Sequence, residues 1–333
     1  MELVELVKTL TAAFGPSGCE GDVADVIEGL ARHYVDEITR DTLGNLICHK
    51  KGSGPKVLFA AHMDSVGLIV THIEQDGFLR FGKLGGVRPA GVLYAPVRFR
   101  NGVCGTIAAN ADAEPAKLKL DDLYIDIGAS DEAGARAKAD VGDAAAFDFP
   151  VRDLGDKLLS PYLDDRAGCA VLLLAMEQLG PTENDLYFVF TVQEEVGTRG
   201  AVTAAYAIDP DYAIAVDVTS AGGLPGSTHM DSTRQGRGAG IKVMDHSVIC
   251  HPRVVEKLKA LAEEKKIPFQ MDVTARGGTD AGAIHKSRGG VCSGVLSIPS
   301  CYTHTPTELI CKKDALACAE LVQAFAEAEL DRV

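Results

Sequence analysis

The sequence predicts an α/β fold in which a mostly parallel β-sheet is sandwiched by helices and interrupted by a small inserted β-barrel-like domain. Apolar strand-like runs alternate with amphipathic helical segments in the first and last parts of the chain, as in βα units. The part between them has only short strand-like runs separated by glycines and charges. With 333 residues, 46% of them hydrophobic, the chain can bury a core of this size.

The first 70 residues predict two helices followed by three strands. Apolar residues recur every three or four positions in the helices, and the pattern then changes to short apolar runs. The last run is a buried strand that ends in His62 and Asp64. The predicted elements are helices over 1–14 and 20–34, two strands within 36–50 and a strand over 57–61.

Residues 71–150 predict a separate β domain inserted into the α/β chain. Its alanine- and charge-rich end, DEAGARAKADVGD, fits either a helix or a loop. Residues 1–70 and 151–333 are therefore predicted to form one discontinuous domain. The strand-like runs of the insertion include FLRF, LYAPVRFR, VCGTIA and LYIDIG.

The α/β pattern returns after the insertion and places metal-capable side chains at the ends of several elements. In a parallel sheet the carboxyl ends of the strands share one edge, so distant residues can converge there. The candidates are His62 after the first buried strand, Asp164 before a helix, Glu194 or Glu195 after the strand over 186–192, Asp217 at the end of the next strand, and His304 in a loop.

Each candidate also has an ordinary structural explanation. An isolated Glu-Glu pair is more often a solvated strand end, and Asp164 or Asp165 fits a helix cap. A histidine at a strand end or in a loop can be purely structural. One metal site explains all of these positions with fewer coincidences, so the convergence carries the prediction.

The ligand types favour particular metals. Two imidazoles with three or more carboxylates and no cysteine suit zinc, cobalt or manganese. An acid-rich set is sufficient for two ions that share a bridging carboxylate, as in aminopeptidases and some nucleases. A spare carboxylate can then serve as general base. Asp64, two residues after His62, is placed to orient that imidazole.

Composition argues against several other classes. The formal charge of −14 and a pI near 5.1 argue against nucleic-acid and anionic-membrane partners. No segment approaches the roughly 20 apolar residues of a membrane span, and the N-terminus lacks a secretion-signal pattern. Nine scattered cysteines without a Cys-x-x-Cys pair fit reduced core thiols. We therefore expect a soluble, cytoplasmic protein.

Six motifs occur in order along the chain, namely AHMDSVG, LDDRAG, QEEVGTRGA, AVDVT, GGTDAGAI and CYTHTPTE. In this order they resemble the tetrahedral aminopeptidases, dinuclear metallopeptidases that include glutamyl aminopeptidase. The resemblance spans nearly the whole chain, including the inserted domain. It implies an enzyme that removes N-terminal residues from small peptides with two divalent ions, usually zinc or cobalt.

The resemblance also implies which residues hold the ions. One ion would be held by His62, Asp164 and Asp217. The other would be held by Asp164, Glu195 and His304, so that Asp164 bridges the two.

Further roles follow from the same resemblance. Glu194 would be the general base that activates a metal-bridging hydroxide, with Asp64 and Asp165 as supporting residues. A cis peptide bond is implied after Asp164. The chain departs from its relatives at Ser65, where they typically carry Glu, and this departure spares every proposed ligand.

The resemblance implies homo-oligomers as well, namely hollow tetrahedral dodecamers built from dimers that form through the inserted domain. One alternative is a related dinuclear-metal deacylase that cleaves N-acyl amides. Another is a non-catalytic binding or assembly protein on the same scaffold. Cellulase activity is disfavoured because the chain has 6% aromatic residues and no Trp to stack on sugars.

Overall fold

The structure is a computed structural model that describes residues 1–226 and 232–332. Within these ranges it contains nine α-helices, two 3-10 helices and 17 strands. None of the described helices is both long and apolar enough to cross a membrane. The helices are α1 Leu3–Ala12, α2 Gly21–Ala31, α3 Pro89–Val92, α4 Glu132–Arg136, α5 Leu163–Gln178, α6 Arg199–Ile208, α7 Pro252–Lys265, α8 Ala281–Ile284 and α9 Lys312–Glu327, with 3-10 turns at Pro115–Lys117 and Leu120–Asp122.

The strands form one open sheet and one barrel. They are β1 Glu37–Arg40, β2 Leu46–Lys50, β3 Lys56–His62, β4 Gly67–Ile73, β5 Leu79–Leu84, β6 Pro96–Phe99, β7 Cys104–Ala109, β8 Leu123–Asp126, β9 Ala144–Phe147, β10 Arg152–Asp153, β11 Lys157–Ser160, β12 Asp185–Thr191, β13 Tyr212–Ser220, β14 Ala239–Met244, β15 Phe269–Val273, β16 Cys292–Cys301 and β17 Glu308–Cys311.

The open sheet has 11 strands and a parallel centre. Its main order is β1-β2-β12-β3-β13-β16-β17-β11-β10, and β14 and β15 branch from β16. The neighbours β12, β3, β13 and β16 are all parallel, whereas antiparallel pairs flank them on both sides. The predicted mixed α/β fold is confirmed, and the parallel centre brings four carboxyl ends to one edge.

Helices cover both faces of this sheet because its central strands are apolar on both sides. Along β3, Phe59 packs into the core shared with α1, α5 and α9, where it stacks on Phe188 and meets Phe325 edge to face. The alternate residues Leu58 and Ala60 pack against α6 and α8. The period of two along a strand explains how one run serves two layers.

Helix α5 packs on the central strands β3 and β13 of the open sheet. Every residue from Leu163 to Met176 is buried, and from Ala167 onward the helix has no polar side chain in this stretch, which fits its packing between the sheet, α1 and α9. Its first turn departs from helical geometry at Asp164 and Asp165. The helix therefore presents these two acids at the edge where the parallel strands end.

The inserted domain is a closed six-stranded barrel in the order β4-β5-β8-β7-β6-β9. Its own apolar core includes Leu68, Val97, Ile125 and Phe147, separate from that of the open sheet. The barrel strands run from Gly67 to Phe147, so the first of them crosses the predicted boundary at residue 71. The alanine-rich stretch forms the short helix α4 followed by turns.

One strand end differs from expectation. The sequence pattern predicts that the strand containing Asp217 ends there, but β13 continues to Ser220. Val218 and Thr219 continue the pairing with β16, opposite Ile298 and Pro299. Asp217 is therefore a residue within a paired strand rather than its last residue.

Candidate metal centre

The carboxyl edge of the parallel strands brings the candidate ligands together. His62 is the last residue of β3, and Glu194 and Glu195 follow the end of β12. Asp217 lies in β13, three residues before its end, and His304 lies in the loop between β16 and β17. Because Thr191 pairs directly with His62, the ends of β3 and β12 are level, and their polar side chains meet.

Asp164 lies between the two histidines. Its Oδ1 is 3.0 Å from His62 Nε2, and its Oδ2 is 3.3 Å from His304 Nε2. Asp217 Oδ1 lies 3.9 Å from His62 Nε2, and Glu195 Oε2 lies 3.2 Å from His304 Nε2. The carboxylate of Asp164 therefore faces one imidazole with each oxygen, which is the arrangement a bridging ligand requires.

The donor set fits divalent cations. The ligand atoms of His62, Asp164 and Glu195 all lie within 4.8 Å of one another. Glu195 Oε1 is buried without a hydrogen-bond partner among the described residues, which is costly unless a cation faces it. Imidazole nitrogens and carboxylate oxygens without thiolates suit zinc, cobalt or manganese.

Asp165 forms a similar group with His62 and Asp217, but its oxygens have other partners. Its Oδ2 accepts the His62 backbone N–H at 3.2 Å, and its Oδ1 accepts the Gly168 N–H at 3.0 Å. The second bond caps the helical part of α5. Asp165 thus ties the end of β3 to the start of α5.

Burial and mutual repulsion shift the pKa values of the acids. Burial, followed by the charge of Asp217, raises the pKa of Glu194 well above its usual range even though His62 opposes the shift. Burial and the neighbouring Asp164 likewise raise the pKa of Asp217. Such shifts mark a buried site with more negative charge than its own cations compensate.

The surrounding negative charge also raises the pKa values of the two histidines. Burial works to lower the pKa of His304, but hydrogen bonds to Asp164 and Glu195 outweigh it and raise the pKa to about 11. Burial also works to lower the pKa of His62. Hydrogen bonds to Asp164 and Asp64 outweigh this effect and raise the pKa well above its usual value. Burial works to raise the pKa of Asp164, but both imidazoles hold it well below the ordinary range. The cluster therefore attracts cations strongly.

Asp64 holds His62 and the Glu194–Glu195 backbone in place. Its backbone carbonyl lies 3.0 Å from His62 Nδ1, and its Oδ1 lies 3.4 Å from the same nitrogen. Its carboxylate also accepts the backbone N–H groups of Glu194 and Glu195 at 2.9 and 3.2 Å and the Ser17 hydroxyl at 2.6 Å. One carboxylate thus fixes both an imidazole and the backbone of the glutamate pair.

Three site residues were missed from the sequence. Glu308 accepts the backbone N–H of Asp164 at 2.9 Å and of His304 at 2.8 Å, and so links two candidate ligands. Asp280 is buried and accepts the Thr191 hydroxyl at 2.5 Å. Both lie inside the motifs CYTHTPTE and GGTDAGAI, which is the signal that could have found them.

The third missed residue is Arg166, a fully buried guanidinium in α5. It donates to the backbone carbonyls of Met63, Leu10 and Gly15, with 2.7 Å to Met63. Met63 stands between His62 and Asp64, so this arginine holds the segment that carries both. It occurs in the motif LDDRAG directly after the two aspartates.

The backbone around the site adopts conformations that non-glycine residues rarely take. Tyr162, Gln193 and Tyr302 lie in the left-handed region with φ of 63°, 56° and 64°, and His304 has φ of 64°. Strain of this kind clusters at functional sites, where surrounding contacts hold it. The peptide bond between Asp164 and Asp165 is cis, as the family resemblance implies.

An open cleft of about 1060 Å³ leads to the candidate ligands. Its acidic lining consists, among the described residues, of Asp164, Glu194, Glu195 and Asp217. Basic side chains line other parts of it, including Arg88 from the barrel. The cleft thus has an acidic end, and a substrate that enters it reaches the metal-capable residues.

Comparison with known proteins identifies the family. The family model of the M42 glutamyl aminopeptidases matches residues 44–321. A protein of Acetivibrio thermocellus named as a putative aminopeptidase is 46% identical over 314 residues, which cover 94% of this chain and 95% of the relative.

Solved structures of similar proteins support the same family. The aminopeptidase APDkam598 of Desulfurococcus kamchatkensis superposes with a TM-score of 0.93 at 42% identity, covering 98% of this chain and 94% of that one. The TET1 peptidase of Pyrococcus horikoshii, which can assemble into a tetrahedron or a large octahedral shell, gives 0.90 at 31% identity over 98% and 100% of the two chains. The chain therefore belongs to the M42 glutamyl aminopeptidase family, and it is an aminopeptidase, a hydrolase of peptide bonds.

Proposed function

We propose that this aminopeptidase hydrolyses the N-terminal peptide bond of short peptides at a centre of two divalent ions, zinc or cobalt, with manganese as an alternative. The observation that carries the proposal is the carboxylate of Asp164, which faces His62 with one oxygen and His304 with the other. M42 peptidases are metal-dependent, and the cluster offers suitable donors. When bound, the ions supply Lewis acidity to the scissile carbonyl and acidify a water.

The ligands divide into two sets in this proposal. His62, Asp164 and Asp217 would hold one ion, and Asp164, Glu195 and His304 would hold the other. The unpartnered Glu195 Oε1 supports the second set. Asp64 and Asp165 would support the centre without binding an ion, because both oxygens of each carboxylate already accept backbone N–H groups, whereas the backbone N–H of Val218 engages only Oδ1 of Asp217.

Glu194 acts as the general base. Its side chain lines the cleft beside Asp217, and its raised pKa brings it closer to neutrality, where a base is most effective. It takes a proton from the attacking water as the water oxygen bonds to the carbonyl carbon. It then passes that proton to the leaving amine as the C–N bond breaks. The free amine of the substrate faces the acidic end of the cleft.

The decisive test is Glu194→Gln, which keeps the size of the side chain and removes its basicity. The variant should bind metal like the wild type while turnover of an aminoacyl anilide falls by a factor on the order of a hundred or more. Asp164→Ala is the contrasting variant and should lose metal, measured by elemental analysis after dialysis. Retained turnover in Glu194→Gln would remove this residue from its role.

We also propose that the chain assembles into tetrahedral dodecamers from dimers that form through the inserted domain, residues 71–150. The assembly of the Pyrococcus horikoshii relative into a tetrahedron supports this proposal. Light scattering after size exclusion should then give about 420 kDa for twelve 35.1-kDa chains. A mass near that of one chain would contradict it.

The proposal further places the enzyme in the cytoplasm. All nine cysteines are free, and seven of them are buried, although Cys104 is exposed on β7. Unpaired thiols persist in a reducing compartment.

A further inference from the structure

The barrel contacts the candidate metal centre through the loop between β5 and α3. Gly85 and Gly86 occupy this loop, and their backbone lies against Glu195 and His304. A Cβ atom on Gly86 would lie 2.6 Å from His304 Cε1 and closer still to Nδ1. Carbon atoms do not approach so closely without displacement, so the His304 ring fits against Gly86 only because no side chain is there.

The His304 ring has little freedom to avoid such an atom. Its Nε2 faces Asp164 and Glu195 at 3.3 and 3.2 Å, and its backbone N–H donates to Glu308 at 2.8 Å. The residue is also held at φ of 64°. One edge of the ring is therefore fixed by carboxylates while the other edge rests on Gly86.

The glycine loop is anchored on its own side as well. Leu84, directly before it, pairs with Gly67 in the barrel, and Val87, directly after it, is buried in the barrel core. Neither the loop nor the ring can therefore yield freely, so a Cβ atom at Gly86 would disturb the contacts of the His304 ring with its carboxylates.

We propose that Gly86 is a positioning residue for His304, through which the barrel fixes the direction of the imidazole toward the second ion. The proposal rests on the role of His304 as a metal ligand. The inserted domain would then help to position a ligand of the metal centre, in addition to any role it has in oligomer assembly.

The test compares Gly86→Ala with Gly91→Ala in the full-length chain. Gly91 lies five residues further on in α3, and a Cβ atom there would sit 3.5 Å from Thr305 Cγ2, an ordinary contact in the same loop that carries His304. Metal-free proteins are titrated with zinc by calorimetry, and bound ions are counted by elemental analysis. Gly86→Ala should weaken binding of one ion about 10- to 100-fold, whereas Gly91→Ala should change it less than about twofold. Equal zinc binding by both variants would overturn the proposal.

His304→Ala separates this inference from the proposed function. If His304→Ala binds as much zinc as the wild type, the ligand assignment fails. If His304→Ala loses an ion while Gly86→Ala does not, only the role of Gly86 fails.

The double variant Gly86→Ala/His304→Ala covers the case in which Gly86→Ala does not fold. Removing the ring removes the collision, so Gly86→Ala should add no further loss of stability or zinc affinity in that background. A double variant that unfolds although His304→Ala alone is folded would contradict the steric explanation.

Discussion

Asp64 connects three parts of the site through one carboxylate. It reaches Ser17 in the N-terminal segment, His62 at the end of β3, and the backbone of Glu194 and Glu195 after β12. Its pKa is lowered, although burial works in the opposite direction, because His62 and the surrounding donors favour the charged form. A charged, fully bonded carboxylate of this kind is hard to replace by an uncharged group of the same shape.

We therefore expect Asp64→Asn to weaken both stability and metal binding. Whichever way the amide turns, its NH₂ group meets backbone N–H donors that the carboxylate now accepts. The loss should be about 1–3 kcal/mol of unfolding free energy and about 10- to 100-fold in metal affinity, measured by urea unfolding and calorimetry. Asp22→Asn, on the surface beside Arg100, is the matched control. A variant as stable as this control would contradict the assigned role.

The candidate ligands could be predicted because they are chemically distinctive side chains at the ends of apolar runs. His62, Glu194 and Glu195 directly follow such runs, and the parallel order of the strands brings them together. Glu308 and Arg166 could not be found in this way, since their partners are backbone N–H and C=O groups. A pattern of side chains carries no information about which backbone groups need a partner.

The buried side chain of Arg166 connects helix α5 to neighbouring segments. Arg166 donates to the backbone carbonyls of Leu10 in α1, Gly15 after α1 and Met63 after β3. Burial lowers the pKa of this guanidinium, but the group stays charged because its ordinary value is so high. One side chain thus aligns three segments around the first turn of α5.

Arg166→Met should cost at least about 3 kcal/mol of unfolding free energy, because three buried carbonyls lose a charged donor together, although that of Gly15 keeps the Ser65 N–H. Denaturant unfolding followed by circular dichroism measures the change. Arg100→Met removes a cation of the same size from an exposed position and should leave stability nearly unchanged. A similar midpoint for the two variants would show that the buried contacts are not needed.

Element boundaries were less predictable than element types. The sequence pattern places the end of the strand at Asp217, yet β13 continues because β16 offers a partner up to Ser300. The alanine-rich stretch in the barrel fits a helix or a loop, and α4 takes only five of its residues. Pairing partners and neighbouring surfaces decide such cases, and neither is visible along one segment.

The whole chain concentrates buried negative charge at one edge of its sheet, which makes its stability depend on pH when no metal is bound. The pKa values of Glu194 and Asp217 are raised, and those of His62 and His304 are raised as well, the last to about 11. The folded chain therefore holds more protons above pH 6.5 than the unfolded chain, whose histidines titrate near that value.

Protonated imidazoles thus stabilise the metal-free fold below pH 6.5, and this contribution is lost as the pH rises. We expect the unfolding temperature of chelator-treated protein to fall steadily from pH 6.5 to pH 9, measured by calorimetry. Asp64 and Asp164 have lowered pKa values and act only in the acid range, outside this window. Added zinc should suppress the trend, since bound ligands carry no protons. An unfolding temperature that rises with pH would contradict this account.

Helix α5 is buried over its first 14 residues, although the Asp164 carboxylate borders the cleft. Local fluctuations that fray a surface helix cannot release it, because separation from the sheet requires the loss of the surrounding core. Its amide hydrogens should therefore exchange with solvent only when the α/β domain opens as a whole. The candidate bridging aspartate lies at the second position of this segment, so the group that joins the two proposed ions sits on a helix that opens only with the surrounding core.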